Sequence, residues 1–175
     1  MPRNVNALVL LSNEHRAVEE LFGRLSSARH VNREETIERL ILELSVHAEI
    51  EEEILYPAIR RNVEGGRRLA IHAEQEHQQV KQMLKQLSKM DPDSREAEAL
   101  IEELHQDVQA HVAEEEAPDG LFAQLRESMD EESLQELGPR ISEARLTKTI
   151  KNPAPEDGVA PPPRDVGGRT FHMQP

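Results

Sequence analysis

The sequence predicts an all-α protein, an up-down-up-down four-helix bundle with a short C-terminal helix and a disordered tail. Apolar residues recur at alternating steps of three and four along four segments, which is typical of helices that bury one face. Breaks at 29–32, 64–66 and 91–94 contain Gly, Pro, Asn or Asp, the residues that interrupt helices. Because these connections are short, we expect consecutive helices to be antiparallel neighbours.

Each of the four segments carries an apolar stripe that would face a common core. In order, the stripes are Leu8, Leu11, Val18, Phe22 and Leu25; Ile37, Leu40, Leu44, Ile54 and Ala58; Ala70, Ala73, Val80, Leu84 and Leu87; and Ala97, Ile101, Leu104 and Val108. Asp93 or Ser94 is expected to cap the fourth helix. Pro57 is expected to kink or loosen the second, because it has no N–H to bond to the carbonyl of Glu53.

The chain after the fourth helix is expected to be less regular. Pro118 should end that helix, and a short helical stretch follows from Leu121 to Met129. A last short helix is predicted from Asp130 to about Leu146, weakened in its middle by Gly and Pro. The Pro- and Gly-rich segment 147–175 has few large apolar residues and is predicted to be disordered. The predicted organisation is therefore one helical domain over 1–146 and a tail over 147–175.

Composition narrows the range of functions. A formal net charge of −13 over 175 residues argues against nucleic acids and anionic membranes as partners, since both are polyanions. The chain has no Cys, which excludes disulfides, thiolate metal sites and thiol catalysis. The apolar run 7–11 is too short for a signal peptide or a membrane span, so we expect a cytoplasmic protein.

Six polar residues interrupt the stripes at positions where a core residue is expected. Each helix contributes one His, and the second and fourth helices each add a Glu four residues later, on the same face. The six are His15, His47, Glu51, His77, His111 and Glu115. The histidines lie near the middle of their helices, so an antiparallel bundle would bring them to about the same level. Burying two carboxylates without partners would cost several kcal/mol each or force them to be neutral.

A metal centre would offset that cost, since neutral imidazoles and carboxylates are good metal ligands. Six ligands without a thiolate do not suit a single tetrahedral zinc. Two carboxylates from different helices can bridge a pair of ions, and mixed N and O donors with vacant positions suit iron, with manganese as an alternative. The competing interpretation is a metal-free interaction bundle with buried polar residues.

The order His, His-x-x-x-Glu, His, His-x-x-x-Glu resembles the hemerythrin-like HHE cation-binding domains of bacteria. Three stretches carry the resemblance: SNEHRAVEELF around His15, HAEIEEEILYP around His47 and EQEHQQVKQML around His77. The resemblance implies a non-haem di-iron site that binds oxygen species. It also implies that His15 and His47 serve one iron, that His77 and His111 serve the other, and that both glutamates bridge.

The sequence departs from the oxygen-carrying hemerythrins in three ways. Ala73 stands where the carriers have a fifth His, the fourth-helix Glu is one residue closer to its His, and 117–120 is inserted after Glu115. A more open iron pair favours reaction with peroxide or nitric oxide over oxygen transport. The leading prediction is a protein of oxidative-stress defence that decomposes hydrogen peroxide. The alternative is a non-enzymatic module that binds or senses oxygen, nitric oxide or iron.

Other polar residues near the stripes are given secondary roles. His72 is one position off the third stripe and is expected at the surface, although it is the best substitute for the missing fifth ligand. Tyr56 follows Glu51 by five residues and is interpreted either as a cap on the site or as a packing residue. The acid runs 51–53 and 114–116 are interpreted as solvated faces, apart from the two candidate ligands.

Overall fold

The structure, a computed structural model, describes residues 6–27 and 32–151. The helices are α1 (Ala7–Ser26), α2 (Arg33–Ile50), α3 (Tyr56–Asn62), α4 (Gly66–Leu87), α5 (Arg95–Glu116), α6 (Leu121–Ser128) and α7 (Glu131–Lys151). A π-helical segment, Glu51–Leu55, joins α2 to α3, so these three form one interrupted rod. Helix α1, this rod, α4 and α5 contact one another in a ring. The predicted all-α four-helix bundle is confirmed.

The helix ends follow the local rules. The side chain of Asn6 caps α1 by accepting from the N–H of Leu8 at 2.9 Å, and Ser94 caps α5 by accepting from Ala97 at 3.1 Å. In the turn before α4, Gly65 has a φ of 68°, which favours glycine. A Cβ on the next residue, Gly66, would fall 2.1 Å from the carbonyl oxygen of Ile59, so this turn requires both glycines.

The π-helical segment lies where Pro57 was expected to disturb the second helix. The N–H of Tyr56 bonds to the carbonyl of Glu51, five residues back, in place of the usual four. This widened turn accommodates the missing N–H of Pro57 and inserts one extra residue into the helix. As a result Tyr56 comes round to the face of Glu51 and is completely buried.

The C-terminal helices cover one end of the bundle. Helix α5 ends at Glu116, as Pro118 predicted, and α6 packs against α5 and α3. Helix α7 lies against α1 and α2 and continues to Lys151, five residues beyond the predicted end near Leu146. It also runs through Pro139 without a break. The residues of the predicted tail from 152 onward lie outside the described residues.

Apolar packing explains why α7 stays helical through Pro139. Leu134, Leu137 and Ile141 are buried against the bundle. Pro139 costs one backbone hydrogen bond, but burying three large side chains stabilises the helix by about 1.5–3 kcal/mol each. Tertiary contacts therefore outweigh the weak propensity of this segment.

The core is divided into two apolar clusters. One is built around Leu8, Ile50 and Ile59 together with α6 and α7, and the other around Phe22, Leu40 and Leu104. The six polar candidates are buried and belong to neither cluster. Among the described helices, none is both long and apolar enough to cross a membrane.

Candidate metal centre

The six predicted polar residues converge in a buried layer. Their fractional exposures are His15 5%, His47 5%, Glu51 0%, His77 4%, His111 6% and Glu115 0%. Four helical rods each supply one imidazole, because each His occupies the inward phase of its own apolar stripe. The expectation that these side chains meet at one level of the bundle agrees with this geometry.

The imidazoles form two pairs. Nε2 of His15 lies 3.0 Å from Nε2 of His47, and Nε2 of His77 lies 3.2 Å from Nε2 of His111. We call these the first and second half-sites. In each pair two ring nitrogens face each other, and a cation between them could accept both lone pairs.

The two carboxylates connect the half-sites. Oε1 of Glu51 lies 3.1 Å from Nε2 of His47, and its Oε2 lies 3.3 Å from Nε2 of His77. Glu115 approaches from the opposite rod, with Oε2 3.5 Å from Nε2 of His15 and Oε1 3.5 Å from Nε2 of His111. Each carboxylate thus presents one oxygen to each half-site, which is the arrangement a bridging ligand needs.

The outer nitrogen of every imidazole is held by a further carboxylate. The Nδ1–oxygen distances are 2.6 Å for His15–Glu116, 2.7 Å for His47–Glu14, 3.2 Å for His77–Glu52 and 2.8 Å for His111–Glu76. An ionised carboxylate can only accept, so Nδ1 donates, and in a neutral ring the lone pair is then on Nε2 and points inward. This carboxylate–histidine arrangement is the one that orients metal-binding imidazoles in proteins.

The sequence analysis missed these four outer carboxylates. Glu52 and Glu116 belong to acid runs interpreted as solvated, and that interpretation is wrong for both, since they hold His77 and His15. A signal is present in the sequence: all four acids stand directly beside a candidate ligand, as Glu14-His15, Glu51-Glu52, Glu76-His77 and Glu115-Glu116. The Glu-His pair of α1 (14–15) recurs in α4 (76–77), and the His-x-x-x-Glu-Glu segment 47–52 recurs as 111–116. The two halves of the site are therefore related by an approximate two-fold symmetry.

Comparison with known proteins assigns the family. Residues 6–125 match the model of the Hemerythrin HHE cation binding domain. The chain belongs to the hemerythrin family. This span contains all six inward-facing polar residues and ends within α6, so α7 lies outside the matched domain.

Two individual proteins are similar to this hemerythrin domain. A Nostoc sp. (strain PCC 7120) protein named DNA nickase is 26% identical over 144 residues, which are 82% of this chain and 40% of that protein. The chain therefore spans well under half the length of this relative. The crystal structure of a hemerythrin HHE cation binding domain-containing protein from Mycobacterium kansasii superposes with a TM-score of 0.69 at 24% identity, covering 86% of this chain and 95% of that one. At this level of identity, the similarity to the Mycobacterium kansasii structure shows a shared fold and nothing more.

Tyr56 closes one side of the hemerythrin site. Its hydroxyl lies 3.1 Å from Oε1 of Glu115, 3.3 Å from Oε2 of Glu51 and 3.1 Å from Nε2 of His77. Of the two interpretations of Tyr56, the structure supports the cap on the site. Burial and the two nearby carboxylates raise the pKa of its phenol, so the hydroxyl keeps its proton.

A small cavity lies against all four imidazoles. Its volume is about 30 Å³, and apolar side chains form the rest of its wall: Val18, Leu44, Val80, Val108 and Val112. A space of this size holds a molecule of about two heavy atoms. There is thus room beside the ligands for a very small molecule.

The charges in the layer are unbalanced without a cation. Burial and the neighbouring His47 lower the pKa of His15 to about 4. Burial also acts against charge on His47, but the carboxylates of Glu51 and Glu14 outweigh it and raise the pKa of His47 to about 10. Burial and repulsion from Glu51 raise the pKa of Glu115 to about 8, whereas His47 lowers that of Glu51 despite its burial. Without a metal, Glu115 and His47 therefore hold protons near neutral pH, while Glu51 stays ionised.

The donor set fits a metal. Oε1 of Glu51 and Oε2 of Glu115 are buried, and neither makes a hydrogen bond of acceptable geometry with a described residue. A buried acceptor left in this state costs about 1–3 kcal/mol, and more when it is charged. Both oxygens face imidazole lone pairs, and cation coordination would satisfy all of these atoms at once. Two sets of side chains have ligand atoms close enough together to hold a metal ion. One set is His15, His47, Glu51 and Glu115, and the other is Glu51, His77 and His111.

The two other histidines that the structure describes, His72 and His105, are outside this layer. His72 is more than half exposed and pairs with Glu76 at 3.5 Å and Glu114 at 3.3 Å, on the rim of a cleft of about 420 Å³ beside Ala73. His105 is half-buried: it stacks on Phe22 with ring centroids 4.3 Å apart and pairs with Glu19. His30 and His172 lie outside the described residues.

Helix α6 covers the end of α5 that Pro118 terminates. The ring of Phe122 stacks on His15, with centroids 5.9 Å apart and planes 11° from parallel. Glu115 is fully buried, although it is the second-last residue of α5. The carboxylate of Glu115 therefore stays buried even though α5 ends at the next residue.

Proposed function

We propose that this hemerythrin domain holds two non-haem iron ions and decomposes hydrogen peroxide. The observation that carries the proposal is the layer itself: four Nε2 atoms and two carboxylates face one another, while every Nδ1 is bonded to an outer carboxylate. In this proposal the first half-site and the second each bind one ion. Glu51 and Glu115, which each present one oxygen to either half-site, would be shared by the two ions.

Different residues of the chain have different roles in the proposed reaction. The iron pair, when bound, supplies redox chemistry and open positions for a small oxygen species. The outer carboxylates keep the imidazoles in the tautomer that presents Nε2 to a cation. The apolar walls of the 30 Å³ cavity exclude bulk water and limit reactants to the size of oxygen, nitric oxide or hydrogen peroxide.

Tyr56 is the best placed hydrogen-bond donor for this chemistry. Its hydroxyl is within hydrogen-bond distance of both bridging carboxylates. Its raised pKa keeps the proton on the oxygen, so the hydroxyl orients these groups by hydrogen bonding and does not act as an acid. The proposed reaction converts two molecules of hydrogen peroxide to two of water and one of oxygen, and proton movement within the layer is part of it.

Elemental analysis and an oxygen electrode test the proposal on one purified sample. We expect about two irons per chain, near-ultraviolet charge-transfer absorption, and oxygen release from peroxide over many turnovers. His47→Ala or Glu51→Ala should abolish the release, and Glu74→Ala, on the surface of α4, should not. A protein that binds no iron, or binds it without turnover, would contradict the enzymatic proposal.

The alternative is a module that binds or senses a small molecule without turnover. The observation that favours it is the contact of α7 with Glu14, which links a helix outside the matched domain to His47. In that case oxygen or nitric oxide would change the spectrum once, in proportion to the protein. Nucleic acid binding is not part of either proposal, because a chain of net charge −13 repels a polyanion.

A further inference from the structure

Arg145 of α7 lies beside the first half-site although its helix is outside the matched domain. One arm of its guanidinium, Nη2, pairs with Oε2 of Glu43 on α2. The other arm, Nη1, is buried and lies 3.5 Å from Oε1 of Glu14 on α1, an ion pair without a hydrogen bond of acceptable geometry. Arg145 therefore spans two helices of the bundle with a single side chain.

The second oxygen of Glu14 reaches the metal centre. Oε2 of Glu14 lies 2.7 Å from Nδ1 of His47, and Nε2 of the same ring faces His15 and Glu51. A continuous series of contacts thus runs from the guanidinium through the carboxylate to the imidazole. A change in the position of Glu14 would alter both the orientation and the basicity of this ring.

We propose that Arg145 is a positioning residue for the metal centre, which holds Glu14 in the orientation that directs His47 inward. The inference rests on the proposed iron-binding function, and it makes α7 a structural component of the first half-site. Arg145 would affect how firmly one of the two ions is held, although it is not itself a ligand.

The charges around Arg145 explain why an arginine is suited to this place. Glu14 and Glu43 have side chains only 14% and 13% exposed, so their repulsion is weakly screened. A planar guanidinium can contact both carboxylates through separate nitrogens, which an ammonium group cannot do in the same way. Without Arg145, Glu14 would gain by turning towards water and would leave Nδ1 of His47 without its acceptor.

The other three outer carboxylates are held in a similar way. Each contacts a basic side chain of the bundle itself, and the pairs are Glu116–Arg16, Glu52–Lys81 and Glu76–His72. Glu14 differs because its basic partner comes from α7. The regularity of the four contacts supports a shared role in orienting the imidazoles.

Two alanine variants of the full chain separate positioning from general support of α7. Arg145→Ala removes the contact with Glu14. Lys148→Ala is the matched control: it removes one positive charge a turn further along α7, and its partners, Glu49 and Glu53, hold no imidazole of the site. Both variants keep the buried Leu134, Leu137 and Ile141 that attach the helix.

The first measurement is iron release to a colorimetric chelator. We expect Arg145→Ala to release iron in two phases, with about half of the iron leaving roughly tenfold faster than from the unsubstituted protein. Lys148→Ala should release it in the original slow phase. Unchanged release from Arg145→Ala, or equally fast release from both variants, would overturn the inference.

The second measurement uses the metal-free protein. Long-range ¹H–¹⁵N spectra of the imidazoles report whether each Nδ1 carries a bonded proton. In Arg145→Ala we expect the Nδ1 signal of His47 to shift while those of His77 and His111 do not. Absence of that shift would also overturn the inference. If the unsubstituted protein binds no iron, the proposed function fails on its own, and these spectra still decide the role of Arg145.

Discussion

The carboxylate of Glu76 lies 2.8 Å from Nδ1 of His111, on the neighbouring helix α5, although its sequence neighbour is His77. The adjacent acid thus serves the histidine of the next helix. Glu14 has the same relation to His47, in the other half of the bundle. Each of these two acids therefore joins the two helices of one half-site, and loss of one acid should weaken a defined imidazole.

Substitution of Glu76 should loosen the second half-site. Glu76→Ala leaves Nδ1 of His111 without its acceptor, and we expect iron affinity there to fall by about 10–100-fold. Chelator competition measures the change. Glu74→Ala is the control, because Glu74 is on the same helix and pairs with Arg60 at the surface. Equal iron affinity in the two variants would contradict a role for Glu76 in orienting His111.

Tyr56→Phe should keep the fold and impair the chemistry. The ring remains to fill its buried place, but the bonds from the hydroxyl to Glu51 and Glu115 are lost. We expect the metal-free variant to be less stable by about 1.5–3 kcal/mol in urea unfolding, since hydrogen bonds to charged groups contribute about that much. Peroxide turnover per iron should also fall. Unchanged turnover at full iron content would contradict a role for the Tyr56 hydroxyl in the reaction.

Removal of metal should lower the melting temperature. Iron binds the folded layer and not the unfolded chain, so at about 100 times its Kd it contributes about 2.7 kcal/mol of stability. For a chain of this size that corresponds to a shift of roughly 5–10 °C. Calorimetry before and after chelation measures it, with re-addition of iron as the control. Identical melting in both states would instead favour the metal-free interaction bundle.

Iron loading should release protons near neutral pH. In the metal-free protein the pKa values of His47 and Glu115 are raised to about 10 and about 8, so both groups hold a proton near pH 7. Coordination requires the deprotonated forms. Affinity should therefore rise with pH up to these values and fall as the pH is lowered. Titration calorimetry in two buffers of different ionisation enthalpy measures the protons released, and a result independent of the buffer would refute this expectation.

The sequence by itself determined the helices, the breaks between them and the six inward-facing polar residues. This was possible because the phase of a residue on a helix is local: each His and Glu interrupts an apolar stripe that can be read within its own segment. The order of those residues along the chain was also enough to indicate the family that the comparison then assigned. Pro57 and Pro118 marked the points where helices change or end, because a missing N–H is likewise a local property.

Only the tertiary structure decided which groups meet across helices. The partner of each Nδ1 depends on how neighbouring helices are rotated, so the roles of Glu14, Glu52, Glu76 and Glu116 did not follow from spacing. Tyr56 reaches the site because a π turn moves it round to the face of Glu51, which an α-helical pattern does not anticipate. The contact of Arg145 with Glu14 joins residues more than a hundred positions apart, and helix α7 remains helical through Pro139 because it is packed against the bundle.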